Sequence, residues 1–140
     1  MSAERFTLDT NVLVYSIDRD AGARHERAAS LVDEAVELDC VLTLQSLGEF
    51  FSAVTRKGKM PVRDAADQVR DWQVLFPTIA AKANTLSQAI AAVTDHSLSF
   101  WDAMLWATAR EAGVKVLLSE DFQHGRDLGG VRFRNPFAGV

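Results

Sequence analysis

The chain has 140 residues, 48% of them apolar and 24% charged, with a formal net charge of −4 and one cysteine. These values fit an ordinary globular protein with one sizeable core. They exclude an internal disulfide and argue against a protein that coats nucleic acid by bulk positive charge.

No apolar run approaches the roughly 18 residues that span a bilayer. The start of the chain, with Glu4, Arg5 and Asp9, does not resemble a signal peptide. No linker divides the sequence, so one domain over residues 1–140, in the cytoplasm and with no membrane partner, is expected.

In chain order, residues 5–8 read as a strand that ends in an acid, Asp9. Val12–Ile17 reads as a short helix and Asp18–Gly22 as a charged loop. Arg24–Leu38 is expected to be helical, with Ala28, Leu31, Val32, Ala35 and Leu38 at helical spacing. Cys40–Leu44 suits a buried strand, with Cys40 packed in the core. A helix follows from Ser46 to Arg56, and Gly58 stops it.

Pro61 opens another helix, where proline is tolerated. Its stripe of Val62, Ala65, Ala66, Val69, Trp72 and Phe76 reads as core or dimer surface. Pro77–Ala80 reads as a short strand. Lys82–Thr94 reads as a helix with Ala83, Leu86, Ile90 and Val93 on one side. Ser99–Ala112 is a further helix, Val114–Leu118 a strand, Ser119–Asp127 a polar loop and Val131–Phe133 a last strand. Helices alternating with short apolar strands indicate a parallel sheet covered on both faces.

Asp102 is the most informative acid. From Phe100 to Ala109 it carries the only charge of a helix that is otherwise apolar all round. A buried carboxylate needs a partner or a metal, although Ser99, three residues earlier, also fits a capping box. Glu49 lies opposite the stripe of Leu47, Phe50, Phe51 and Val54, and Ser46 offers it a similar capping explanation. Asp121 stands just past a strand, as Asp9 does, where turn-forming is the ordinary role. Ser119 and Glu120 share its loop, and Glu120 reads as the solvated one of the two acids.

Four acids thus come to strand ends or first helical turns. Crowded carboxylates require cations to stay ionised, and oxygen ligands select hard ions such as Mg²⁺ or Mn²⁺. His25, His96 and His124 are scattered. No Gly-rich phosphate loop appears. Basic residues cluster at Arg56, Lys57, Lys59 and Arg63 and again at Arg126, Arg132 and Arg134. Such runs are ordinarily solvated faces.

The pieces Leu8-Asp9-Thr10-Asn11-Val12-Leu13, Leu47-Gly48-Glu49-Phe50, Phe100-Trp101-Asp102-Ala103 and Ser119-Glu120-Asp121-Phe122-Gln123-His124-Gly125 together resemble the PIN domain, and in particular the VapC-type toxins of bacterial toxin–antitoxin pairs. The resemblance implies a three-layer α/β/α sandwich with a parallel, roughly five-stranded sheet. It also implies that the strand bearing Asp9 neighbours the one preceding Asp121. On this resemblance Asp9, Glu49, Asp102 and Asp121 are the catalytic and metal-binding quartet for Mg²⁺ or Mn²⁺, with Thr10, Asn11 and Ser119 in support. It further implies RNA as substrate, a homodimer, and a small antitoxin protein as inhibitor.

Three alternatives stand beside an RNA-cleaving toxin. One is a PIN-domain ribonuclease that is not a toxin. Another is a catalytically silent domain that binds RNA or a partner. The third is a phosphatase using Asp9 as nucleophile, against which Asn11 stands where a second acid is needed.

Overall fold

A computed structural model describes residues 4–140. Its sheet is built on β1 (Phe6–Leu8), with β2 (Cys40–Thr43) on one side and β4 (Val116–Leu118) on the other, both parallel to it. β3 (Thr78–Ile79) extends the sheet beyond β2, and β6 (Val131–Arg134) extends it beyond β4, again in parallel. The sixth strand, β5 (Asp127–Leu128), pairs antiparallel with β6 at the edge, so the order is β3-β2-β1-β4-β6-β5.

The expected parallel sheet is therefore present, but six-stranded. The addition is a two-residue strand that begins on the last residue of what reads as a polar loop. The β5–β6 turn uses Gly129 and Gly130, both at positive φ, as the tight hairpin turn requires. A side chain at Gly129 would also meet Trp106 and Arg110 at 3.1 Å.

Short apolar strands alternate their side chains between two layers, which divides the core. Leu8, Cys40, Leu42, Val116 and Leu118 face one cluster, together with α1 (Thr10–Ile17), α2 (Ala23–Ala35), α3 (Leu44–Arg56) and α4 (Val62–Leu75). Val41, Leu117, Val131 and Phe133 face the other, under α5 (Ala83–His96) and α6 (Phe100–Glu111). Cys40 is buried as expected, and burial pushes its thiol up to about 12. Among the described residues no helix is long and apolar enough to cross a membrane.

One local expectation is corrected and two are made specific. α3 starts at Leu44, two residues before Ser46, because the Thr43 hydroxyl accepts the Ser46 amide at 3.0 Å. Leu44 is therefore an exposed helical residue and not the end of a strand. On α5 the buried face is Thr85, Ala89 and Ala92. Small residues let α5 lie close against α6, and the bulkier Leu86, Ile90 and Val93 are left outward, 44%, 53% and 37% exposed. The stripe on α4 is core at Ala65 and Trp72 and continues to the buried Phe76, while Val62 is exposed.

Candidate metal centre

β1 has one neighbour on each side, reached by chain running in opposite directions along the sheet. The crevice beyond the carboxyl ends of such strands is where open α/β sheets bind ligands. Asp9 sits at that point. Its amide donates to Leu118 O at 2.9 Å, one step past the end of the β1–β4 ladder. It is the N-cap of α1, with Oδ1 accepting the Thr10 amide at 2.7 Å, and Oδ2 accepts the Ser119 hydroxyl at 2.7 Å. Capping and convergence are thus served by the same carboxylate. Only 6% of Asp9 is exposed.

The neighbouring positions form a continuous network. Thr10 Oγ1 donates to Glu49 Oε1 at 2.7 Å, tying α1 to α3. Asn11 Nδ2 donates to Asp121 Oδ2 at 3.0 Å and to Ser119 Oγ at 3.4 Å. Ser119 Oγ in turn accepts the Asp121 amide at 3.0 Å. Asn11 stands two residues after Asp9, and its amide binds an acid rather than supplying one. This removes the second carboxylate that the phosphatase alternative needs.

Asp102 faces this group from the first turn of α6. It is half-buried, while Trp101 beside it is 60% exposed. The start of α6 is therefore more open than its apolar sequence suggests. Ser99 is the N-cap residue of α6 but makes no side-chain cap bond, so the capping-box explanation of Asp102 lacks half of its geometry. The same holds for Glu49, since Thr43 and not Ser46 caps α3.

Asp9 and Asp102 are each acted on by neighbouring carboxylates. Burial pushes Asp9 up to about 6; hydrogen bonds from Ser119 and the Thr10 amide pull against this, and the charges of Asp121 and Asp102 add to it. Asp102 is also raised, first by burial, with Ser99 opposing and Asp121 and Glu49 adding repulsion. Among the described residues, no three acid, imidazole or thiolate groups are already closed around a common point at metal-holding distance. The donor chemistry nevertheless fits a hard divalent ion. It is all oxygen, and the like charges that hold these groups apart are what such an ion relieves. Glu49 and Asp121 are exposed, so the acids line an open rim accessible to a polymer.

Glu120 departs from its expected role. It is half-buried and engaged: Tyr15 Oη donates to Oε1 at 2.8 Å and Arg24 Nε to Oε2 at 2.6 Å. These partners lie 105 and 96 residues away in sequence. No local pattern singles out Tyr15 or Arg24. Lys59 is likewise engaged, by Asp18 at 3.2 Å.

A PIN-domain family model matches residues 6–126, a span that contains all four acids. No curated protein matches the chain in sequence. Among solved structures, the sarcin–ricin-loop-cleaving toxin VapC20 of Mycobacterium tuberculosis matches with a TM-score of 0.65 at 22% identity, over 83% of this chain and 91% of that one. A toxin–antitoxin complex from Klebsiella pneumoniae matches with a TM-score of 0.67 at 20% identity, over 94% and 97%. VapBC2 from Rickettsia felis, solved bound to a DNA fragment from its promoter, matches with a TM-score of 0.68 at 12% identity, over 94% and 98%. At these identities the likeness is one of fold.

Proposed function

The chain belongs to the PIN-domain family, and from that premise we propose that it is a Mg²⁺- or Mn²⁺-dependent endoribonuclease, acting in the cytoplasm as the toxin of a toxin–antitoxin pair. The reading is supported by the network that links Asp9, Glu49 and Asp121 through Thr10, Asn11 and Ser119, and by Asp102, close enough for the charges of Glu49 and Asp121 to act on it.

Asp9, Asp102 and Asp121 would hold the ion, with Glu49 completing the set. When bound, the ion supplies positive charge where negative charge develops on the phosphate oxygens. Asp9 is held in place by a hydrogen bond on each carboxylate oxygen. Glu49, tied through Oε1 to Thr10, would complete the set or position the attacking water. Asn11 and Ser119 keep Asp121 at the rim.

Purified protein should cleave mixed RNA with Mg²⁺ or Mn²⁺ and lose that cleavage in EDTA. Cleavage that survives both chelation and Asp102→Asn would refute the reading.

The toxin role adds two partners, a second copy and a small antitoxin. The outward Leu86, Ile90 and Val93 on one face of α5 support a homodimer, since an exposed apolar stripe of this kind marks an interaction surface. The double variant Leu86→Glu/Ile90→Glu should run at the monomer mass in light scattering, with the wild type at twice that mass. Equal masses for the two would remove α5 as the dimer face. Growth arrest on expression alone, relieved by co-expression of a small neighbouring gene, would establish the toxin role. Absence of both effects would leave a ribonuclease with another task.

A further inference from the structure

We infer that Arg24 and Tyr15 are positioning residues for the metal centre, acting through Glu120 to hold the Ser119–Asp121 loop against Asp9. The inference rests on the metal-dependent nuclease reading above.

Glu120 is flanked in sequence by two members of the network. Ser119 donates to Asp9, and Asp121 accepts from Asn11. The side chain of Glu120 turns the other way and is gripped through both oxygens, by Tyr15 of α1 and Arg24 of α2. Its amide faces Asn11 Oδ1 at 3.4 Å. The loop is thereby fastened to two helices, and the two grips close on opposite sides of one backbone segment. A loop fastened on one side only would let Ser119 and Asp121 swing away from Asp9.

The clamp is itself buttressed. The Tyr15 ring packs edge-on against Phe137 with centroids 5.1 Å apart, and the Tyr15 carbonyl is 2.8 Å from His25 Nδ1. Phe137 is 2% exposed, and Arg27 Nε holds the Pro136 carbonyl at 3.0 Å. The last residues of the chain thus brace Tyr15, which braces the loop. The Arg24 and Glu120 side chains are 42% and 22% exposed, so replacing Arg24 removes the clamp without opening the core. Groups that orient metal ligands from behind typically change metal affinity about 10–100-fold when lost.

The test uses the full chain with Arg24→Gln, Arg24→Lys and Tyr15→Phe. Manganese affinity is measured by calorimetry, and amide hydrogen exchange is measured on the metal-free protein. Arg24→Gln should weaken Mn²⁺ binding about tenfold and speed exchange at residues 119–122, leaving β1 and β4 protected. Its kcat should fall at limiting Mn²⁺ and recover at saturation, with KM for RNA unchanged. Arg24→Lys, which keeps the charge but not the planar fork, should recover part of the affinity.

Wild-type affinity and loop protection in both Arg24→Gln and Tyr15→Phe would overturn the inference. So would a raised KM with unchanged Mn²⁺ affinity, which would make Arg24 an RNA contact. Wild-type protein that binds no Mn²⁺ would overturn the nuclease reading and this inference together, which separates that failure from one confined to the variants.

Discussion

Asp9→Asn is expected to abolish cleavage and, in the same protein, to raise the melting temperature of the metal-free form. Loss of a ligand that holds the ion removes several kcal/mol of transition-state stabilisation, on the order of 10³-fold in rate. The stability gain follows from the carboxyl's position. Burial lifts Asp9 from 3.8 to about 6, so the folded chain holds its proton more tightly than the unfolded one.

Below about pH 4 both states are protonated and the group makes no difference. Between about pH 4 and 6 the unfolded chain ionises first and stability falls. Above that range the whole penalty stands, on the order of 3 kcal/mol. Asparagine has no charge to bury. Its Oδ1 still accepts the Thr10 amide, and its Nδ2 meets the Ser119 hydroxyl. At pH 7.5 in EDTA the variant should gain about 1–3 kcal/mol, a rise of roughly 3–8 °C.

Added Mn²⁺ should then raise the melting point of the wild type and leave the variant unmoved, because the variant lacks the carboxylate proposed to hold the ion and only ligand bound to the native state stabilises it. A variant that melts below wild type in EDTA would contradict the burial penalty. A variant that cleaves normally would remove Asp9 from the centre.

This division between stability and chemistry shows why some features are legible in the sequence and others are not. The apolar runs at Phe6–Leu8, Cys40–Thr43 and Val116–Leu118 are strongly patterned and bounded by polar residues, so the strands and the acids at their ends can be read locally. Asp102 is visible because a charge interrupts an apolar helix. The α5 stripe is legible only as a shared side, because periodicity reports which residues share a face and not which face is covered. Close packing on α6 selected the alanine face instead.

Glu49 and Asp102 each have a serine three residues earlier, yet neither serine makes the side-chain cap bond of a capping box. Asp121 and Glu120 share one loop, and it is the family resemblance, more than any local pattern, that separates them. Their roles are decided by Asn11, Tyr15 and Arg24, which arrive from about a hundred residues away. Short elements fail for a related reason: two residues of β5 become a strand only because the glycine turn folds them onto β6.

Ser119→Ala should move the pH dependence of cleavage upward. Ser119 Oγ donates to Asp9 Oδ2, accepts the Asp121 amide and lies 3.4 Å from Asn11 Nδ2. Its bond to Asp9 is the largest influence opposing burial of that carboxyl. Without it, Asp9 rises above about 6, and more of it is protonated near neutrality. Protons and metal compete for the same oxygens, so affinity for Mn²⁺ should fall about 10–100-fold at pH 7.

The sign of the effect is specific. The rate of Ser119→Ala should climb toward wild type as pH rises from 7 to 8.5 at fixed, limiting Mn²⁺, and saturating Mn²⁺ should shift the midpoint back down. Ser119→Thr keeps the hydroxyl and should track wild type across the range. The alanine variant also removes the acceptor of the part-buried Asp121 amide, so a loss of about 0.5–1.5 kcal/mol in metal-free stability accompanies the shift. A pH–rate profile identical to wild type, with stability alone reduced, would mean that Ser119 supports the loop but does not set the protonation of Asp9.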